Sequence, residues 1–186
     1  MQRSHPYRLE RGAQGVLAIL PGPPRGLAQT PPIILSRLNR ILVENSLDDQ
    51  FMTAFLGIWK PVEARLDFVT AGQDFPRCWR QSRRAVETVS NRTGLPLGIS
   101  PNETYELSRV NLDQGDALVM YTDGLVEARN PKGEKFGVAR IDALIKDRAL
   151  EGAEAIKTGL LTSLEEFVHG HAPGDDITFV VLKRWD

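Results

Sequence analysis

Two acidic turns stand where a carboxylate would be held rigidly. Asp123-Gly124 follows the apolar run Ala117-Leu118-Val119-Met120-Tyr121-Thr122, and Asp175-Asp176 precedes Ile177-Thr178-Phe179-Val180-Val181-Leu182. Hard divalent cations prefer carboxylate oxygens, and a glycine beside Asp123 lets an ion or a phosphate approach the backbone. Two separated carboxylates completed by solvent suit Mg2+ or Mn2+, which activate water and neutralise phosphoryl oxygens. The same residues also make ordinary structure, since Asp-Gly after a strand is a strong hairpin signal and Gly-Asp-Asp a common solvated turn. Spacing alone leaves both readings open.

Other chemistry-bearing residues are less specific. Arg77, Arg80, Arg83 and Arg84 cluster around an expected hairpin, where they would either dock an acidic or phosphorylated partner or face solvent. His169 and His171 flank Gly170 close to Asp175 and are read as loop residues. Cys78 has no accompanying His or Asp motif of an activated nucleophile and reads as packing. As the chain's single cysteine it excludes an internal disulfide and a cysteine zinc cluster. Trp59, Trp79 and Trp185 are too scattered for a stacking platform.

The elements that must position these groups follow from periodicity and punctuation. Residues 1–30 contain Pro21-Gly22-Pro23-Pro24-Arg25-Gly26, which removes backbone donors, and are expected to be largely irregular. Behind Thr30 as N-cap and prolines in the first turn, Ile34, Leu38, Ile41 and Leu42 recur at helical spacing. Phe51 to Trp59 and Leu66 to Ala71 read as a hairpin, with further strands over Arg77 to Arg80, Ala85 to Val89, Tyr105 to Val110 and the Ala117 to Thr122 run. Helices are expected over Val138 to Asp147 and along Ile156, Leu160, Leu164, Phe167 and Val168, then a loop from His169 to Asp176 and a buried strand over Ile177 to Leu182. Runs of strands followed by clustered helices indicate α+β rather than alternating βαβ.

Composition sets the outer limits. A chain of 186 residues that is 41% hydrophobic can bury a substantial core, and its 23 basic and 24 acidic residues give a net charge of -1. No global excess of charge draws it to nucleic acid or membrane, so charge recognition must be local. The apolar run Val16 to Leu20 is far shorter than the roughly 20 residues of a spanning helix, and a cytoplasmic address is expected.

The segments in order resemble the SpoIIE/RsbU-like branch of the PPM-type serine/threonine protein phosphatases. The likeness runs from about Pro31 to the C-terminus, giving an expected division into an N-terminal segment 1–30 and a phosphatase-type domain 31–186. It is carried by Ile33 to Arg40, Phe51-Met52-Thr53-Ala54, Ala71-Gly72-Gln73 (where the branch usually has Ala-Gly-His), Gly94-Leu95-Pro96-Leu97-Gly98 and Gln114-Gly115-Asp116. Tyr121-Thr122-Asp123-Gly124-Leu125-Val126-Glu127-Ala128 and Gly174-Asp175-Asp176-Ile177-Thr178 complete it. The resemblance implies an α-β-β-α sandwich and hydrolysis of phosphoserine or phosphothreonine, dependent on Mn2+ or Mg2+, with two metals in the family. The substrate would be a bacterial signalling regulator such as an anti-sigma-factor antagonist. Asp123 and Asp175 would be metal ligands, with Gly124, Asp176 and Glu127 as neighbours that complete or support the site.

The chain departs from the branch at one point. Neither a Gly-Asp-x-x-Asp strand nor an Asp-x-Ser-Gly-His-Gly turn, whose aspartate bridges the metals in the branch, occurs in the 186 residues. The expected fold is therefore an incomplete sandwich, with weaker or fewer metals, a tendency to self-associate through exposed edges, and low turnover. Two functions stay open: a metal-dependent phosphoprotein phosphatase, and a noncatalytic regulatory or binding remnant of that domain.

Overall fold

Alternation along the strands decides the layers. The structure, a computed structural model, describes residues 13–21, 30–45, 51–90, 94–171 and 174–185. In chain order the elements are β1 (Ala13–Pro21), α1 (Pro31–Asn45), β2 (Met52–Lys60), β3 (Arg65–Ala71), β4 (Arg77–Arg80), β5 (Ala85–Thr88), β6 (Ser108–Asn111), β7 (Ala117–Tyr121), α2 (Asp123–Glu127), α3 (Gly137–Arg148), α4 (Ala153–Val168) and β8 (Phe179–Lys183). One sheet has the order β1-β2-β3-β6 and the other β5-β4-β7-β8.

Successive residues of a strand point to opposite faces, and both faces of each sheet are covered. Phe55, Leu66, Phe68, Cys78, Leu118 and Met120 meet between the sheets, with the Phe55 and Phe68 rings stacked at 5.1 Å. The intervening Ala54, Leu56, Val69 and Ala71 face α1 through Leu35, and Ala117, Val119 and Tyr121 face α3 and α4 through Ile141, Ile145, Ile156 and Leu160. The result is the expected α+β class, with α1 on the outside of one sheet, the two sheets face to face, and α3 with α4 on the outside of the other.

Several expectations need correction. Residues 13–21, expected to be irregular, form β1, which runs parallel to β2 with Val16 opposite Ala54 and Pro21 opposite Trp59. The Val16 to Leu20 run supplies the strand, and Ile19 packs between the sheets while Ala18 and Leu20 lie towards α1. The irregular reading of residues 1–12 and 22–29 lies outside the described residues. On α1 the buried positions are Pro31, Leu35 and Asn39, whereas Leu38 and Ile41 are exposed. The polar anchor turns the helix: Asn39 is 1% exposed, donates Nδ2 to the Ser100 carbonyl at 2.7 Å and accepts the Gly98 N–H at 2.9 Å. The final strand starts at Phe179 and is half-buried, because among the described residues it is an edge strand paired only with β7. Tyr105 is buried but precedes β6, and its hydroxyl donates to the Leu95 carbonyl.

The arginine cluster is split by function. Arg77 holds Asp142 through two 2.6 Å contacts and so ties β4 to α3. Arg80 reaches Glu87 at 2.6 Å and the buried Asp116 at 2.8 Å, and Asp116 in turn accepts the N–H groups of Gln81 and Asp113. These are structural ties, which leaves Arg83, paired with Glu87, and the exposed Arg84 on the solvent side of the turn. Trp79 is core, while Trp185 is 61% exposed. Among the described residues no helix is long and apolar enough to cross a membrane.

Candidate metal site

The site is assembled from three chain segments that end near one another. The first is the end of β7. Thr122 has extended backbone (φ -86°, ψ 157°) and stops the strand, and Asp123 becomes the first residue of the short helix α2 instead of the tip of a hairpin turn. An acidic residue in a first turn suits the partial positive charge of the helix N-terminus. Asp123 is exposed, and its Oδ1 accepts the Gly124 N–H at 3.0 Å.

The second segment is the loop before β8, and Thr122 fastens it. The Thr122 N–H donates to the Thr178 carbonyl at 2.9 Å, and Oγ1 accepts the Thr178 N–H at 3.0 Å. The same hydroxyl lies 3.3 Å from the Asp176 carbonyl. Gly124 then packs directly on the Asp176 carbonyl, in space that a Cβ would occupy. Asp123 and the Asp175-Asp176 turn are thereby brought to one corner. Asp175 is exposed, with its Oδ1 accepting the Asp176 N–H at 2.8 Å, and Glu127 is turned outward to Lys135 Nζ at 2.7 Å.

The third segment, which the sequence did not single out as part of a site, is the turn after β3. Gly72 has φ +67°, a conformation that glycine adopts without strain, and redirects the chain from one sheet towards the other. Gln73, 5% exposed, donates Nε2 to the Tyr121 carbonyl at 2.6 Å, two residues before Asp123. Among the described residues its Oε1 is buried with no hydrogen-bond partner, as is Thr70 Oγ1. Asp74 follows, exposed at its edge. Partial burial of its carboxyl, then the negative charges of Asp123 and Glu127, raise its pKa above the ordinary aspartate value. Burial, then the Asp74 charge, push the neighbouring Tyr121 phenol up to about 12. The only signal for this segment in the sequence is the Ala-Gly-Gln string.

Carboxylate oxygens such as those of Asp123, Asp175 and Asp176 are the ligands that a hard divalent cation prefers. Among the described residues no group of three or more His, Cys, Asp or Glu side chains that could hold a metal ion is found. Asp123 and the adjoining Asp175-Asp176 turn, the metal ligands expected from the sequence, lie at this corner. His169 ends α4 in a left-handed conformation (φ 46°) and belongs to the loop, and burial pushes the Cys78 thiol up to about 12, far from reactive.

The family model described as Stage II sporulation protein E (SpoIIE) matches residues 19–185 of this chain. The phosphoserine phosphatase RsbU of Bacillus subtilis is 26% identical over 154 residues, which cover 83% of this chain and 45% of RsbU. The chain spans less than half the length of the curated relatives it matches. Among solved structures, the SiaA-PP2C domain of Pseudomonas aeruginosa superposes with a TM-score of 0.68 at 23% identity, over 85% of this chain and 61% of that one. The phosphatase domain of the cell fate determinant SpoIIE from Bacillus subtilis, presoaked in Mn, gives 0.57 at 18% identity, over 81% and 73%. At these identities the superpositions establish the fold.

Proposed function

The chain belongs to the SpoIIE family, on the SpoIIE/RsbU-like branch of the PPM-type serine/threonine phosphatases, and from that premise we propose that it hydrolyses phosphoserine or phosphothreonine on a bacterial signalling regulator, with low turnover. The observation that carries this reading is the seat of the Asp176 carbonyl on Gly124, which places the two acidic turns side by side. A Mn2+ or Mg2+ ion held there by Asp123 and Asp175 would act as a Lewis acid towards water and the phosphoryl group. Asp176 and Thr122 position the second turn, and Gln73 fixes the end of β7. A phosphorylated anti-sigma-factor antagonist is the substrate class by analogy with RsbU, and the cytoplasm the fitting compartment.

Low turnover follows from the sequence: without an Asp-x-Ser-Gly-His-Gly aspartate among the 186 residues, positioning and charge at the phosphoryl group are reduced together. That same departure favours a second reading, a noncatalytic module that binds phosphoprotein. Manganese-dependent hydrolysis of a phosphoserine peptide by the purified chain, with Asp123→Asn as control, separates the two. Slow turnover lost in the variant supports the enzyme, and equal rates in both proteins support the binding module. Self-association belongs to the same picture, because Ile33, Leu38 and Ile41 on α1 are 44%, 44% and 55% exposed. Sedimentation giving only monomer at micromolar concentration would remove that part of it.

A further inference from the structure

Charged side chains in the turn after α2 are mostly matched within the chain. Lys135 holds Glu127, and Glu134 Oε2 accepts a hydrogen bond from Asn130 Nδ2 at 2.8 Å. Lys132 and Arg140 differ: among the described residues neither has a carboxylate partner, and both line an open groove of about 410 Å³ whose other wall is the end of α4. The Arg140 guanidinium is fixed in place by the fold. Its Nη1 donates to the Lys135 and Phe136 carbonyls at 3.1 and 2.7 Å, and its carbon stands 4.5 Å from the centre of the Phe167 ring, which meets the fully buried Phe136 edge-on. Among the described residues nothing bonds to Nε and Nη2, an edge with which arginine grips a carboxylate through two parallel hydrogen bonds. The backbone that carries Lys132 is held as firmly, because Asn130 Oδ1 accepts the N–H groups of Lys132 and Glu134 at 3.0 Å each and the Gly133 N–H closes the turn on the Asn130 carbonyl. His169, left-handed at the end of α4, lines the same groove, and Glu166 is its acidic member.

We infer that this groove docks an acidic segment of a protein partner, with carboxylates of that segment on Arg140 and Lys132 and an apolar side chain against Phe167. Charge complementarity selects the partner: two permanent cations line the groove against the single carboxylate of Glu166, in a chain whose net charge is -1. An exposed ion pair ordinarily contributes little, because two long side chains must be ordered to make it. Arg140 is already ordered, which lowers that cost. The groove is separate from the acidic turns, but both of its walls are continuous with them in the chain: the Asn130 turn follows α2, and α4 leads into the loop before Asp175. The inference rests on the phosphatase reading above in taking the partner to be its phosphoprotein, and the docked segment is distinct from the phosphorylated residue.

The test is fluorescence anisotropy of the full chain with a short labelled peptide of alternating Glu and Leu, beside its Gln-Leu counterpart, in EDTA so that no metal bridges the carboxylates. The acidic peptide should bind about tenfold more tightly or better. Lys132→Glu and Arg140→Gln should each weaken it by about tenfold, and Glu166→Gln should strengthen it. Thermal unfolding midpoints verify the fold of each variant, and Lys132→Glu, on an exposed turn, decides the matter where Arg140→Gln loosens the start of α3. Equal affinity for the two peptides, or wild-type affinity in Lys132→Glu, would overturn the inference. So would displacement of the peptide by millimolar inorganic phosphate at constant ionic strength, which marks a small-anion site. Asp123→Asn should leave the acidic peptide's affinity unchanged, and a loss there would move the peptide to the acidic turns and out of the groove. Intact peptide binding by a chain that shows no manganese-dependent hydrolysis would remove the phosphatase reading and leave the groove standing.

Discussion

The carbonyl oxygen of Asp176 lies so close to Gly124 that any side chain at position 124 would overlap it. The contact joins two segments that are 52 residues apart in the chain and sets the spacing of the acidic turns. Gly124→Ala should therefore push the Asp175-Asp176 turn off the end of β7, at about 1–3 kcal/mol of stability. Urea denaturation would measure that loss. Mn2+ affinity should fall in the same variant, and unchanged affinity would mean that the two turns do not act together.

Asn39 should behave as a structural lock rather than a recognition residue. Both ends of its carboxamide are used, on Ser100 and Gly98, and Asn39→Ala leaves a partly buried N–H and a partly buried carbonyl unmatched. The expected cost is about 2 kcal/mol or more. Asn39→Leu should not restore it, although it fills the space, because the same two backbone groups remain unmatched. Equal denaturation midpoints for wild type and Asn39→Leu would contradict this account.

Asp67 supplies a pH dependence with a defined sign. Burial alone would raise its carboxyl, but hydrogen bonds from Arg65 at 2.6 Å and from Lys60, with their charges, hold it below the usual range. A carboxyl depressed in the folded state stabilises the fold above the unfolded value of about 3.9, and that contribution is lost as pH falls through the folded value. Asp74, whose carboxyl is raised, contributes in the opposite sense, so the informative quantity is the difference between wild type and Asp67→Asn. That difference should be about 2 kcal/mol near neutrality and shrink below pH 4. A difference that does not change with pH would show that Asp67 acts through shape alone.

Cys78 should resist thiol reagents until the molecule opens. It has no exposed surface, it sits between the sheets, and its thiol is held protonated at neutral pH. Labelling of the native protein is expected to be more than about a hundredfold slower than in denaturant, equivalent to an opening cost of about 2.7 kcal/mol. Rapid native labelling would place the sulfur outside the core.

What the sequence by itself determined is whatever depends on near neighbours along the chain. The apolar runs at Ala117 to Thr122 and at Phe51 to Trp59, the helical spacing along Ile156, Leu160 and Leu164, and the acidic turns at Asp123 and Asp175 were all legible, because strand and helix periods are local properties. Tertiary structure decided the rest. The run at Val16 to Leu20 became β1 only because β2 offered a free edge, and α1 turned its Leu35 and Asn39 inward because Asn39 found partners about sixty residues away. The Asp123 turn became a helix start when Thr122 was captured by Thr178. Gln73, quoted from the sequence only within the Ala-Gly-Gln string, was set against the Tyr121 carbonyl by folding. A hydrogen bond across 48 residues leaves no periodic trace in the sequence, because its two partners are brought together only when the sheets pack.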